Sequence, residues 1–316
     1  MQKRSLGKSN LEIVPLVLGG NVFGWTADEA TSFRILDAFV DAGFDAVDTA
    51  NMYSAWVPGH KGGESEAVIG RWFAKSGKRD KVVLFTKVGN PMGDGSKGLK
   101  KAYILQQVED SLQRLQTDYI DLYQSHMDDD TTPFEETLEA YQTLIQQGKV
   151  KAIGASNYKG ARLAEAIELA QQKALPTYVS LQPEYNLYDR AAYEADLAPV
   201  VEKYGLAVIP YWPLASGFLT GKYKTKEDAA GAKRAGMVGK YFDDRGLKIL
   251  KALAEVAEES GAEQATVTLA WLLAQPTITA PIASVSKPEQ LDALLASVSL
   301  KLTDAQVKKL TDASAY

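Results

Sequence analysis

The chain has 316 residues, of which 46% are hydrophobic and 24% are charged, so it can bury a sizeable core. Its formal net charge of −5 at pH 7 disfavours a dedicated nucleic-acid binder, and no nucleic-acid partner is expected. Cysteine is absent, which excludes disulfide scaffolds, zinc–thiolate sites, iron–sulfur clusters and thiol nucleophiles.

The compartment is predicted from missing signals. No apolar segment of the signal-peptide type follows the first ten residues, and no apolar stretch approaches the ~20 residues that cross a bilayer. We therefore expect a cytoplasmic protein without membrane insertion. No repeat, low-complexity tract or linker interrupts the sequence, so one domain over residues 1–316 is predicted, and no metal site is predicted.

Short apolar segments alternate along the chain with longer segments of helical period. Residues 1–13 are predicted to form a hairpin around Ser9 and Asn10. The predicted strands that follow cover residues 16–18, 46–48, 82–86, 120–124, 152–154, 178–181, 207–209 and 280–283. The predicted helices cover residues 28–42, 66–75, 105–113, 134–147, 161–172 and 247–259, with a terminal helix capped by Thr303.

Eight strands that are each followed by a helix predict an α/β fold, a (β/α)8 TIM barrel with an N-terminal β-hairpin and a C-terminal helix. A doubly wound open sheet is the alternative. A long loop, residues 212–244, follows the seventh strand, and loops of this length are usually functional lids or disordered segments. Its basic residues are compatible with a flap over a dinucleotide pyrophosphate, although the loop taken alone favours a solvated charged loop; they are Lys222, Lys224, Lys226, Lys233, Arg234 and Lys240.

Polar side chains follow three consecutive predicted strands, at the barrel end that carries the working residues of such folds. Asp48 ends the second strand, Tyr53 lies just beyond it, and Lys87 and His126 follow the third and fourth. Each residue alone is ordinary, since aspartates cap turns and lysines lie at solvated rims. Because all four converge on one mouth, we predict that they form a catalytic site.

A phenol beside an ammonium group suits proton donation to a developing alkoxide. A free tyrosine has a pKa of about 10 and is a poor acid at neutral pH. We expect the Lys87 ammonium, held by Asp48, to lower the pKa of Tyr53. His126 would then hydrogen-bond the carbonyl oxygen and orient it.

The sequence contains neither the glycine-rich Rossmann fingerprint nor a Walker phosphate loop. Barrels instead bind phosphates through the loops after strands seven and eight. After the eighth strand, Ser284, Ser286, Lys287 and Pro288 supply two hydroxyls, an ammonium group and a first helical turn, which suit a phosphate monoester. The alternative is a capping Ser286 beside an exposed Lys287.

These motifs resemble the signatures of the aldo-keto reductases. The resemblance lies in residues 43–53, 64–70, 121–126, 153–158, 182–186 and 211–223, and it runs in order from about residue 4 to residue 310. Residues 219–223 and the following loop are most similar to the bacterial and plant branch that includes the potassium-channel β subunits. The resemblance implies an NADP(H)-dependent reductase of small-molecule carbonyl compounds.

The resemblance also implies roles for individual residues. Tyr53 would be the proton donor, with Lys87 and Asp48 tuning it and His126 orienting the substrate. The nicotinamide would lie against Tyr211, and the other implied cofactor contacts are Gly20, Asn21, Ser156, Asn157, Gln182, Leu214, Ser216, Leu219, Lys222, Ser284, Ser286, Lys287 and Gln290. Leu294 departs from the family, which usually has an adenine-contacting asparagine there.

Three tryptophans lie just beyond predicted strand ends and are predicted to line the substrate pocket: Trp25, Trp56 and Trp212. Residues 54–63 make the link from Tyr53 to the following glutamate longer than is usual in the family, which should reshape one wall of that pocket. Trp72 and Trp271 lie within helical patterns and are predicted to be core residues.

Two other functions remain open from the sequence. The chain could be a cofactor-loaded regulatory or channel-associated subunit whose turnover is incidental. Alternatively, Lys87 could be the Schiff-base lysine of an aldolase, because barrels also support that chemistry.

Overall fold

The computed structural model describes residues 1–229 and 235–316. The chain opens with the predicted hairpin, in which β1 (Arg4–Ser5) pairs antiparallel with β2 (Glu12–Ile13). Eight parallel strands follow: β3 Val17–Gly19, β4 Ala46–Asp48, β5 Val83–Val88, β6 Ile120–Ser125, β7 Val150–Ser156, β8 Ser180–Gln182, β9 Ala207–Val208 and β10 Ile282–Ala283.

The eight strands form a curled barrel in the order β10-β3-β4-β5-β6-β7-β8-β9. The barrel closes between β9 and β10. The amide of Thr279, just before β10, donates to the Val208 carbonyl at 2.9 Å, and the amide of Ile282 in β10 donates to the Pro210 carbonyl at 2.9 Å. The (β/α)8 prediction is therefore confirmed, and the open doubly wound sheet is wrong.

Helices alternate with the strands around the barrel. They are α1 Glu29–Asp41, α2 Glu64–Ser76, α3 Lys101–Leu115, α4 Phe134–Gln146, α5 Gly160–Lys173, α6 Ala198–Tyr204, α7 Ala235–Val238, α8 Asp244–Ser260, α9 Gln264–Leu273, α10 Leu291–Ala296 and α11 Asp304–Ala313. Thr303 caps α11 in a capping box with Gln306, as its sequence position predicts. None of the described helices combines the length and apolarity that a bilayer crossing requires.

Strand alternation divides the core into an outer layer under the helices and an inner layer inside the barrel. Trp72 and Trp271, 1% and 0% exposed, lie in the outer layer, which confirms their prediction as core residues. The inner layer is a plug of side chains from the hairpin and the strands: Leu6, Ile13, Val17, Ala46, Phe85, Leu122, Ala152, Ala207, Ile209, Ala280 and Ile282.

The same alternation positions the site. Counting two residues onward from plug residues Ala46, Phe85 and Leu122 gives Asp48, Lys87 and Gln124, so these polar side chains form the next interior layer. They lie at the carboxyl ends of their strands, above an apolar floor that excludes water from below. The long connection after β9 is present as predicted, and Lys233 and Arg234 lie outside the described residues.

Candidate active site

Lys87 is the centre of the polar layer, and its ammonium group is fully buried. Its Nζ donates to Asp48 Oδ2 at 2.6 Å, to the Thr49 carbonyl at 2.9 Å and to the Tyr53 hydroxyl at 2.8 Å. These three acceptors use all three N–H bonds of an ammonium group. Burial lowers the pKa of Lys87 from its ordinary value, and Asp48 opposes that effect.

The Asp48 carboxylate is held from both sides. Its Oδ2 accepts from Lys87 and, at 3.3 Å, from the Tyr53 hydroxyl, while Oδ1 accepts from Gln124 Nε2 at 3.3 Å and from Gln182 Nε2 at 3.0 Å. Gln124 is a residue that the sequence analysis missed as part of the site. Its place in the interior alternation, opposite Lys87 in the strand register, is the signal that would have found it.

The pKa of Tyr53 differs from the sequence-based expectation. Burial is the largest cause and raises this pKa well above its ordinary value, and the Asp48 carboxylate raises it further. The expectation that Lys87 lowers the pKa of Tyr53 in the free protein is wrong, because desolvation penalises the phenolate. Tyr53 therefore carries its proton throughout the neutral range.

His126 stands beside this group as a neutral imidazole. Its ring lies edge-on to that of Tyr53, with 5.9 Å between the ring centroids. Burial, followed by the charge of Lys87, lowers the pKa of His126 well below its ordinary value. Its Nδ1 is buried without a hydrogen-bond partner among the described residues.

A hydrogen-bonded chain connects His126 to Tyr211 across the barrel mouth. Asn157 Nδ2 donates to the His126 carbonyl at 2.8 Å, and the Tyr211 hydroxyl donates to Asn157 Oδ1 at 2.8 Å. Ser156 Oγ accepts from Asn157 Nδ2 at 3.0 Å and donates to the Gln182 carbonyl at 2.8 Å. Asn157 has a left-handed backbone with φ 57°, which turns its side chain into this chain of contacts.

The predicted nucleotide contacts of the first and eighth strands lie side by side, because β10 pairs with β3. Ser284 Oγ donates to Asn21 Oδ1 at 2.7 Å. A Cβ on Gly20 would lie 2.9 Å from the Asp48 carbonyl oxygen, so only glycine leaves the backbone this close to the polar layer.

The loop after β10 presents the predicted phosphate-binding groups. The Ser286 amide donates to Gln290 Oε1 at 3.0 Å, which holds the loop in a turn, and Lys287 projects exposed beside it. Leu294 is buried at 3% exposure, so its side chain packs in the core.

The chain after β9 turns sharply through several residues with positive φ. Trp212, Ala215 and Ser216 have φ of 53°, 47° and 58°, and Gly217 follows at 97°. A Cβ on Gly217 would lie 3.1 Å from Lys222 Nζ, so this ammonium group stands over the turn. The predicted contact Leu214 is half-buried at the start of the turn, whereas the Leu219 side chain is fully buried beneath it.

Comparison with known proteins identifies the family. The sequence model of the Aldo/keto reductase family matches residues 15–315. The chain belongs to the aldo/keto reductase family. It is 39% identical over 320 residues to the "Uncharacterized oxidoreductase YrpG" of Bacillus subtilis (strain 168), covering 99% of this chain and 95% of that protein.

Two further relatives show the range of this family. The "L-glyceraldehyde 3-phosphate reductase" of Escherichia coli (strain K12) is 32% identical, over 92% of this chain and 86% of its own. The "Probable voltage-gated potassium channel subunit beta" of Oryza sativa subsp. japonica is also 32% identical, over 92% of this chain and 89% of its own. The aldo/keto reductase is accordingly an oxidoreductase, and its family acts on small carbonyl compounds with nicotinamide cofactors.

The three tryptophans predicted to line the substrate pocket lie in two separate places. Trp25 and Trp56 contact each other edge-to-face with 5.5 Å between centroids, and Trp56 lies 6.0 Å from the Tyr53 ring. Trp212 lies instead beside Tyr211, with 5.5 Å between centroids. One aromatic group therefore borders Tyr53 and the other borders Tyr211, where the nicotinamide is predicted to lie.

An acidic pair near the mouth was also missed by the sequence analysis. Burial and the neighbouring Asp189 raise the pKa of Glu184 to about 7, and Glu184 pairs through its backbone with Tyr211. Lys240 Nζ lies 3.5 Å from Asp189 and 3.8 Å from Glu184, so this lysine of the predicted basic flap faces carboxylates.

Proposed function

We propose that this aldo/keto reductase catalyses the reversible NADP(H)-dependent reduction of an aldehyde or ketone to an alcohol, with Tyr53 as the proton donor. The observation that carries the proposal is the buried triad of Lys87, Tyr53 and Asp48, whose polar atoms lie within 3.3 Å of one another. A protonated phenol with a cation at its oxygen suits protonation of a developing alkoxide.

Each catalytic residue has a definite task in that reaction. Tyr53 transfers its hydroxyl proton to the carbonyl oxygen, and the Lys87 ammonium at 2.8 Å stabilises the phenolate that remains. Asp48 keeps Lys87 charged and in place. His126, neutral and edge-on to Tyr53, donates a hydrogen bond to the same carbonyl oxygen and orients it.

The residues of the mouth fit a nicotinamide dinucleotide. When bound, the cofactor supplies the hydride that reduces the carbonyl carbon. Tyr211 offers an aromatic face to the nicotinamide ring, and the amide and hydroxyl groups of Ser156, Asn157 and Gln182 suit its carboxamide. The remaining proposed contacts are Gly20, Asn21, Leu214, Ser216, Leu219, Lys222, Ser284, Ser286, Lys287 and Gln290.

The preference for NADP over NAD is proposed to rest on the loop after β10. Lys287 is exposed and positive, and Ser286 and Gln290 hold the turn beside it, which suits a 2′-phosphate. Leu294 is buried in the core, so it offers no polar group to the adenine. Selectivity for the phosphate therefore depends on the ammonium group of Lys287.

The geometry disfavours the aldolase alternative. A Schiff-base lysine must present a neutral amine to its substrate. The three N–H groups of Lys87 instead donate hydrogen bonds to Asp48, the Thr49 carbonyl and Tyr53. The Lys87 side chain is 0% exposed. A regulatory role without turnover would leave this complete proton-donating group unused.

Cofactor titration tests the proposal directly. Purified protein is titrated with NADPH and with NADH while tryptophan fluorescence is followed, since Trp212 lies beside Tyr211 and should report occupancy. We expect tighter binding of NADPH and its oxidation when small aldehydes or ketones are added. Binding of neither nucleotide would overturn the proposal, and binding without turnover of any carbonyl compound would favour the regulatory subunit. Cell fractionation tests the cytoplasmic location, which remains part of the proposal.

A further inference from the structure

The link between Tyr53 and α2 is built as a series of turns. The amides of Ala55, Val57 and His60 donate to the carbonyl groups of the residues three positions earlier, at 2.9, 2.9 and 3.0 Å. Ser54 anchors the first of these turns, because its buried side chain donates to the Phe23 carbonyl at 3.4 Å. Residues 54–60 therefore form a fixed shape on the rim.

The far end of this link is anchored as well. The Glu64 carboxylate accepts from the amides of Lys61 and Gly62 at 2.9 and 3.0 Å. The Gly93 amide donates to the Lys61 carbonyl at 2.9 Å, which ties the link to the loop after β5. A side chain carried by this link is thus held in position without a ligand.

Trp56 is the large side chain that the link places toward the mouth. Its edge-to-face contacts with Trp25 and Tyr53 have interplanar angles of 80° and 63°. Nevertheless, 44% of Trp56 is exposed, so much of the indole remains uncovered beside the proton donor. An indole exposed beside Tyr53 is available to contact a ligand at the mouth.

The aromatic side chains that contact Trp56 are uncharged. They are Trp25 and Tyr53, and next to the Tyr53 ring the lowered pKa of His126 keeps its imidazole neutral. These side chains offer aromatic contact to the group attached to a carbonyl, which suits an uncharged substituent. A flat ring gains edge-to-face contact here in addition to buried area, whereas an alkyl chain gains area alone.

We infer that Trp56 is the specificity-determining residue of the carbonyl pocket and selects aldehydes and ketones that bear an aromatic ring next to the carbonyl group. This inference rests on the proposed reductase function. Trp56 acts on the substituent, while Tyr53, Lys87 and His126 act on the carbonyl oxygen. Loss of the indole should therefore change the choice of substrate more than the rate of the chemical step.

The test compares benzaldehyde, cyclohexanecarboxaldehyde and butanal as substrates of the wild type, Trp56→Ala and Trp56→Phe with NADPH. For Trp56→Ala we expect kcat/KM for benzaldehyde to fall about tenfold, mainly through KM, and kcat/KM for butanal to change about twofold or less. Trp56→Phe should recover most of the benzaldehyde activity, because it restores an aromatic face. Cyclohexanecarboxaldehyde should lie between the other two.

Leu247→Ala is the matched control, since Leu247 is 47% exposed on α8 and should leave all three substrates unaffected. An equal loss on benzaldehyde and butanal, carried by kcat, would overturn the inference, because Trp56 would then only support Tyr53. An unchanged benzaldehyde KM in Trp56→Ala would overturn it too. A wild type that binds NADPH but reduces none of the three would contradict the proposed function itself.

Discussion

The two ends of the barrel each contain a buried carboxylate with cationic partners, but they use it differently. At the end of the barrel where the strands begin, here called the floor, Asp121 lies near the start of β6. It accepts from Arg79 at 3.0 Å, from Lys151 at 2.8 Å and from the Leu84 amide at 2.9 Å. At the mouth, Asp48 accepts from Lys87, which also donates to the phenol of Tyr53. The floor network ends on fixed donors, whereas the mouth network ends on a hydroxyl that can give up a proton.

Backbone strain is also concentrated at the mouth rather than at the floor. Of the seven non-glycine residues with positive φ in the described part of the chain, five follow strands at the mouth or lie on its rim: Ser54, Asn157, Trp212, Ala215 and Ser216. Such conformations cost about 1–3 kcal/mol each and persist where a function needs them. The floor is therefore arranged for stability, whereas the mouth carries backbone strain and unpaired polar groups, which suits the proposed binding of ligands there.

Tyr53→Phe removes the hydroxyl at the end of the mouth network and should give the largest effect. We expect kcat for carbonyl reduction to fall about a thousandfold, because a positioned general acid contributes that order of rate. The aromatic ring remains, so NADPH affinity measured by fluorescence should stay within about twofold. Retained turnover would show that Tyr53 is not the acid.

Asp121→Asn breaks the floor network and should act on stability instead. We expect a loss of about 2–3 kcal/mol in the free energy of unfolding, because Arg79 keeps a buried charge without its carboxylate. Denaturant unfolding measures this loss, and kcat per folded molecule should remain at the wild-type value. A large fall in kcat with little loss of stability would erase the distinction between the two ends.

The sequence predicts much of the mouth because strand alternation and strand ends are local properties. Asp48 and Lys87 could be located from two short apolar segments, and the structure places their charged groups 2.6 Å apart. The contacts of Gln124 and Gln182 with Asp48 could not be predicted, since they depend on strand register across 76 and 134 residues. The raised pKa of Tyr53 also depends on burial, which composition and spacing do not report.

The helices also show that local sequence signals predict some elements and miss those that depend on tertiary contacts. Long amphipathic segments such as α4, Phe134–Gln146, were predicted almost to their ends. The short α6, Ala198–Tyr204, was missed because it begins in an irregular π-helical turn at Tyr193–Leu197. Tertiary packing holds such a segment, and periodicity over seven residues is too weak a signal.

Lys287→Ala tests whether exposed charge at the mouth serves the cofactor. We expect the dissociation constant for NADPH to rise about tenfold, because a charge-assisted contact with the 2′-phosphate is lost. The constant for NADH should remain nearly unchanged. Lys308→Ala, on the exposed face of α11, is the control for a general change in charge. Equal weakening of both nucleotides would remove the 2′-phosphate assignment.

Glu184→Gln gives the smallest expected effect. It tests whether the carboxylate at the mouth is less well stabilised in its ionised form than Asp121 at the floor. The pKa of Glu184 is raised to about 7 in the folded protein, so the native state holds a proton that the unfolded state releases from about pH 4.5 upward. This contribution to stability is complete below that pH and is lost as the pH rises through about 7.

Because 32% of the Glu184 side chain is exposed, solvent screening should limit the contribution to about 1 kcal/mol. Glutamine mimics the protonated carboxyl, so the variant should lack this loss and exceed the wild type in stability above about pH 7. Urea unfolding at several pH values measures the difference, with Glu165→Gln, 61% exposed on α5, as the control. If the free energy of unfolding depends on pH in the same way for Glu184→Gln and the wild type, the ionised Glu184 carboxylate is stabilised by its neighbours as fully as Asp121 is at the floor.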